Sequence, residues 1–199
     1  MKKLMLILVA AAAPALVAGC GSSAPKDKLE ALVESCVSPD GLVDVPGSKK
    51  LLDAATESPE QGQRVVAMLL ERAKTAKKAR QLSFAHILAR VEVEPARFEA
   101  AKELLKHPMR DVRLRAVDAL GRGSAPDEAN ELAMELAQKD PDPFIRSAAC
   151  RTISFTGKKK YNEEICKLLL TISTTDADQT VREHAQRGID RMKAARLCR

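Results

Sequence analysis

The most concentrated chemistry in the sequence is basic. Arg72, Lys74, Lys77, Lys78 and Arg80 place five positive charges within nine residues, and Lys158, Lys159 and Lys160 form a smaller group. Such clusters suit an anionic surface, and the plainer reading is a pair of solvated turns. Arg113, Arg146 and Arg182 recur in similar surroundings, as an anion-binding ladder or as forks onto carboxylates. Thiol chemistry is available at Cys20, Cys36, Cys150, Cys166 and Cys198. His86, His107 and His184 lack any spacing that would put two nitrogens on one metal ion, so no metal site is expected. There is no Gly-rich phosphate loop and no Gly-x-Ser-x-Gly elbow. Glu163 and Glu164 fit a helix start, where negative charge meets the positive end of the dipole. These residues predict neither an enzyme nor a cofactor.

The elements that must carry these residues follow from composition. Of 199 residues, 45% are hydrophobic, 30% charged and only 3% aromatic, with no Trp. Four Phe and one Tyr cannot build the girdles of a membrane β-barrel or the stacking platforms of a single-strand binder. The abundance of Ala, Leu, Lys, Arg and Glu favours helix. Thirty-three basic residues against 27 acidic ones give a net charge of +6, so both signs are interspersed and the chain is no polycation.

Lys2 and Lys3 precede an apolar run over 4–18 that is too short to span a bilayer, contains Pro14 and ends in small residues, which predicts an export signal over 1–19. Its end, Leu16-Val17-Ala18-Gly19-Cys20, resembles the lipobox of bacterial lipoproteins. The resemblance implies that the Cys20 thiol takes a diacylglyceryl group, that the leader is cut before it, and that the new amine is acylated too. Several acyl chains suffice for stable attachment. Gly21 is not Asp, which in enteric-type lipoproteins implies the outer membrane. The expected address is the bacterial cell envelope, lipid-anchored at the periplasmic face. Residues 20–26 then form a lipidated Cys and a short polar tether. That address turns the basic clusters away from nucleic acid and toward anionic headgroups or a protein.

One apolar template occurs three times: Val112, Ala116, Ala119, Leu120; Ile145, Ala149, Thr152, Ile153; Val181, Ala185, Gly188, Ile189. Each runs i, i+4, i+7, i+8, a single helical stripe, with an Arg after its first member and small residues that admit a close neighbour. A weaker copy is Ala79, Arg80, Ser83, His86 and Ile87, and the Arg-to-Arg steps are 33, 33 and 36. A second set lies between: Val66, Leu69, Leu70, Ala73; Phe98, Ala101, Leu104, Leu105; Ala129, Leu132, Ala133, Leu136; Ile165, Leu168, Leu169, Ile172. The unit is a helix hairpin, the extra residues of the longer step fall to the Gly157–Lys160 turn, and short connections make neighbours antiparallel. The predicted fold is all-α, an α-solenoid of stacked antiparallel helix pairs over 59–199. Residues 27–58 form an N-terminal helical cap, with Leu29, Leu32, Val33 and Cys36 on one face, breakers from Pro39 to Gly47, and a short helix around Leu51–Ala55.

The segments 111–121 and 142–149, and more loosely 178–185, resemble the short HEAT-like repeat, the type also found in phycobilin lyases. Tetratricopeptide aromatics and the ankyrin Thr-Pro-Leu-His turn are absent. The resemblance covers 107–190 and treats 59–106 as degenerate copies. It implies that Arg113, Arg146 and Arg182 pair with acids such as Asp111, Asp142 and Asp178, and it carries no catalytic motif. The expected function is a non-enzymatic, membrane-tethered adaptor that binds a protein partner through its inner helix layer. That layer is read as the one with Lys102, Lys106, Glu128, Glu131, Glu135, Glu164 and Lys167, whose mixed charge suits a protein. The alternative is an enzyme accessory or lyase-like protein with a small ligand in the groove.

Without Cys20, four cysteines allow three connectivities in an oxidising compartment. Cys36 and Cys198 sit at opposite ends of the stack, which argues against their joining. Cys150 and Cys166 each lie eight residues from Lys158, level across one hairpin, so Cys150–Cys166 is a candidate disulfide if the helices approach closely.

Overall fold

The computed structural model describes residues 27–122, 126–156 and 159–198, so the leader, Cys20, the tether and Lys158 lie outside it. The described residues form ten α-helices: α1 (Lys28–Ser35), α2 (Val45–Ala55), α3 (Pro59–Thr75), α4 (Lys78–Leu88), α5 (Ala96–Leu104), α6 (Arg110–Leu120), α7 (Asp127–Lys139), α8 (Pro143–Thr156), α9 (Asn162–Thr175) and α10 (Gln179–Ala194). Several starts are capped as the sequence dictates. Asp27, Asp44, Ser58 and Asp178 accept hydrogen bonds from the amides of Glu30, Gly47, Gln61 and Val181. Proline stands in the first turn of α2 and α3, where its missing N–H has no intrahelical partner to lose.

Hairpins α3–α4, α5–α6, α7–α8 and α9–α10 stack in two layers, the solenoid expected. The cap is a pair of helices, α1 and α2, packed on each other and on α3. Between them a single antiparallel bridge joins Val37 to Val43, and Gly41 turns the chain at φ +92°. A Cβ at Gly41 would lie 2.6 Å from the Ala79 carbonyl oxygen, so both the positive φ and the contact with α4 require glycine.

The stripe of the arginine-bearing helices is buried as predicted. Val112, Ala116, Ala119 and Leu120, then Ile145, Ala149, Thr152 and Ile153, then Val181, Ala185, Gly188 and Ile189 all lie in the interior. Helix α4 corrects the fourth copy: Ala79 is exposed, and the buried face is Ser83, Phe84, Ala85, Ile87 and Leu88. The large Phe84 takes the core position, so this helix is rotated relative to the template. The longer 36-residue step is also placed differently. α8 runs to Thr156, three residues beyond the position matching the end of α6, so the added length is a turn of helix and not an enlarged loop.

Layer spacing sets the curvature. α6, α8 and α10 pack closely in succession, whereas α5 and α7 scarcely approach and α7 and α9 touch over a short stretch. The side with closer neighbours lies inside the bend, so the arginine-helix layer is the inner one. This corrects the expected inner layer: the helices carrying Glu131, Glu135, Glu164 and Lys167 splay apart on the outside, with an open groove of about 470 Å³ between α7 and α9. Close approach depends on small residues. Ala116, Ala149 and Ala185 are fully buried, and a Cβ at Gly188 would lie 3.1 Å from Leu169 Cδ1 and 3.2 Å from Ser154 Cβ.

Enlarging Ala149 to Leu should overpack this seam and destabilise the protein by about 1–3 kcal/mol. Urea denaturation checks it; wild-type stability in the variant would place Ala149 away from the seam.

Candidate functional site

Three successive turns, before α6, α8 and α10, are built alike. In the second and third, Asp140 and Asp176 accept the amides of Asp142 and Asp178, each at 2.9 Å. In the first, His107 Nδ1 accepts the Met109 amide at 3.1 Å, an imidazole in place of the carboxylate. Burial, helped by the Arg113 charge, lowers the His107 pKa, which keeps the acceptor nitrogen unprotonated. The arginine one turn into each helix folds back over its own turn. Arg113 Nη1 donates to the carbonyls of His107 and Pro108, Arg146 Nη1 to those of Asp140 and Pro141, and Arg182 Nη1 to those of Asp176 and Ala177.

Two of the three also reach the next repeat. Arg113 pairs with Asp142 at 3.1 Å, and Arg146 grips Asp176 through two parallel bonds of 2.8 and 2.9 Å. Asp176 is held below its ordinary carboxylate value, chiefly by Arg146. The pairing implied by the repeat resemblance is therefore met for Arg113. It is displaced for Arg146, whose partner is Asp176, while Asp178 caps α10 and Asp111 lies 3.5 Å from Arg110. This ladder joins repeats and leaves these guanidinium groups engaged within the protein.

The basic corner is largely consumed as well. Arg72 Nε donates to Glu34, with Glu30 3.4 Å from its Nη2. Arg80 donates to Glu34 at 3.0 Å and to the carbonyls of Glu34 and Val37, and it lies over the Phe84 ring. Lys74 pairs with Glu103 at 2.8 Å. Burial pushes Glu34 up, but the hydrogen bonds from Arg80 and Arg72 outweigh it and keep the carboxyl below its usual value. The corner is thus not an open anionic-surface site over its whole length: acidic partners come from α1 and α5, far off in sequence and adjacent in space. Lys77 and Lys78 are exposed and without a partner among the described residues. At the second corner, Lys160 pairs with Asp127 and sits over Tyr161.

Cysteine placement also differs from expectation. The disulfide joins Cys166 to Cys198, with Cα atoms 5.9 Å apart, and Cys150 is a free, fully buried thiol. α8 and α9 meet only briefly, and Cys150 points into the core shared with α10 while Cys166 faces the C-terminal turn. That turn arises where Arg196 adopts φ +57° and Leu197 N–H bonds back to Met192 O at 2.8 Å. Burial pushes the Cys150 thiol up to about 12 and the Cys36 thiol up to about 11, so neither is a nucleophile near neutrality. No group of acidic, His and Cys side chains suited to a metal occurs among the described residues. Arg97, which sequence reasoning missed, is fully buried. It bonds the Val91 carbonyl at 3.0 Å, Glu94, and the Arg122 carbonyl, locking the start of α5 to the end of α6.

A further concentration of charge lies on the inner layer. His86 of α4 faces Arg90, Arg115 and Arg122, and Asp118 bonds both Arg115 at 3.1 Å and Arg151 at 2.8 Å. Two guanidinium groups thus share one carboxylate, and Arg90 and Arg122, which join Arg115 around His86, have no side-chain partner among the described residues. Burial, then Arg115, Arg90 and Arg122, hold the His86 pKa down. On α8 the same face carries Phe144 and Phe155, which are 53% and 62% exposed and stacked beneath Arg110 and Arg191.

Breaking the ladder at its most enclosed rung should be costly. The Arg146 and Asp176 side chains are only 15% and 9% exposed, so Asp176→Asn should destabilise by roughly 3 kcal/mol at neutral pH. Because the folded Asp176 pKa is lowered, this stability is present above the ordinary value of 3.8 and is lost as pH falls through the folded value. Chemical denaturation should show the wild type and the variant converging in acid; a constant difference would mean that the charge is not responsible.

The described part contains no helix long and apolar enough to cross a membrane. Residues 98–190 match the family described as HEAT repeats, from α5 into α10, and the whole arginine ladder lies inside the match. The chain is also similar to an engineered protein of known crystal structure, at 20% identity and a TM-score of 0.47, over 83% of this chain and 79% of that one. No curated protein matches the sequence. The chain is an all-α solenoid carrying HEAT-like helical repeats.

Proposed function

We propose that this protein is a lipid-anchored, non-enzymatic scaffold of the bacterial cell envelope, tethered through Cys20 and binding a protein partner through the surface of its solenoid. The observation that carries the binding half is the ladder: the residues that looked most reactive are engaged in joining one repeat to the next. What remains for function is an extended face and open grooves, which is how stacked-repeat proteins commonly bind. The anchoring half rests on the lipobox-like sequence ending at Cys20 and on the short stretch between it and the capped start of α1. Outer-membrane placement, facing the periplasm, follows from Gly21 under the sorting rule for such lipoproteins.

Fractionation tests the anchor. The wild type should sediment with membranes after a high-salt wash, and Cys20→Ser should move to the soluble fraction. Persistent sedimentation of the variant would refute the lipid anchor. Cross-linking in intact cells tests the binding half: a discrete product with another protein is expected, and its absence would count against a scaffold.

A further inference from the structure

The inner layer carries a charge pattern that the scaffold reading does not require. On α6 Asp111, Arg115 and Asp118 repeat at i, i+4 and i+7, with Arg122 just past the helix end, and on α8 the matching positions are Phe144, Ala148, Arg151 and Phe155. Arg115 and Arg151 both lean on Asp118, which can neutralise only one of them, and Arg90 and Arg122 stand with Arg115 around His86 with no side-chain partner among the described residues. The Arg115 and Arg151 side chains are 38% and 48% exposed, so their free donors are open to an incoming acceptor. Arg115 Nε is buried and makes no hydrogen bond, a donor left unsatisfied in the unbound protein.

We infer that the inner face of α4, α6 and α8 is a docking surface for an acidic peptide segment of a partner protein, with carboxylates held by Arg90, Arg115, Arg122 and Arg151 and an apolar side chain packed beside Phe155. The inference rests on the scaffold reading and names the chemistry of its partner. Charge complementarity selects an acidic ligand, since guanidinium groups fork onto carboxylates. Shape and pattern select a peptide. Where α6 and α8 lie inside the bend a flat bilayer cannot follow the face, and Asp118 interrupts the positive row that a continuous phosphate backbone would need. Exposed aromatics at both ends of the α8 face suit peptide side chains better than lipid headgroups.

The test is titration of the soluble chain beginning at Gly21 with a fluorescein-labelled octaglutamate peptide, followed by anisotropy at low salt. Binding should weaken with ionic strength, and Arg90→Gln with Arg122→Gln should reduce it roughly tenfold or more. Lys49→Gln with Lys50→Gln, the same charge change on α2, should alter it less than about twofold. The ring resonances of His86 should shift with peptide while those of His184 stay in place. Equal loss in both double variants, or an unmoved His86, would overturn the site. Tighter binding to phosphatidylglycerol vesicles or duplex DNA, abolished by the arginine pair, would overturn the peptide and leave another anion in its place. If the wild type cross-links to a cellular protein and the arginine variant does so equally, the docking surface is wrong and the scaffold stands. If the wild type binds neither the peptide nor any protein, both fail.

Discussion

Everything else in this molecule depends on how closely α6, α8 and α10 approach one another. That approach requires a methyl group or less at Ala116, Ala149, Ala185 and Gly188, because in a close-packed interior any added atom displaces a neighbour. Once those helices are drawn together and the α5, α7 and α9 layer is not, the stack bends. Bending decides which arginines face one another and which charged residues spread over the outside. The small-residue stripe is therefore a device for curvature as much as for packing.

The ladder works on top of that approach. A guanidinium has five donors in a fixed plane, enough to satisfy two carbonyls of its own turn and a carboxylate of the next. Arg146 does so with its carboxylate partner largely shielded from water, which makes the bond strong and intolerant of change. Upstream, where the repeat pattern decays, Arg72 and Arg80 do an analogous job by a different route, clamping α1 through Glu34. The chain uses arginine as mortar at both ends, with different bricks.

What could be read along the sequence was whatever repeats at helical spacing. The stripes at Val112, Ile145 and Val181 gave the fold class, the hairpin unit and the small-residue seam, because periodic burial leaves a one-dimensional trace. What could not be read depends on distant residues meeting. The basic corner looked unpaired because Glu34 and Glu103 are remote along the chain. The Cys166–Cys198 bond needs a left-handed Arg196, and nothing in that residue's type announces such a turn. His107 was legible in principle: aligned with Asp140 and Asp176, it falls where a side-chain acceptor is needed. Arg97 gave no signal at all, since a buried guanidinium is tolerated only where carbonyls and a carboxylate happen to converge.

The additional turn at the end of α8 shows how this architecture can change length. Residues added within a helix would rotate every later side chain about its axis, and residues added to the turns before α6, α8 or α10 would pull an arginine off its carbonyls. Growth at the C-terminal end of α8 does neither, since only a reversal of the chain follows. Ser154 and Phe155, two of the three residues gained there, meet Arg191 of α10 at the rim opposite the ladder. One rim thus works as a ruler with a fixed graduation, while the other can accept new length and, with it, new surface.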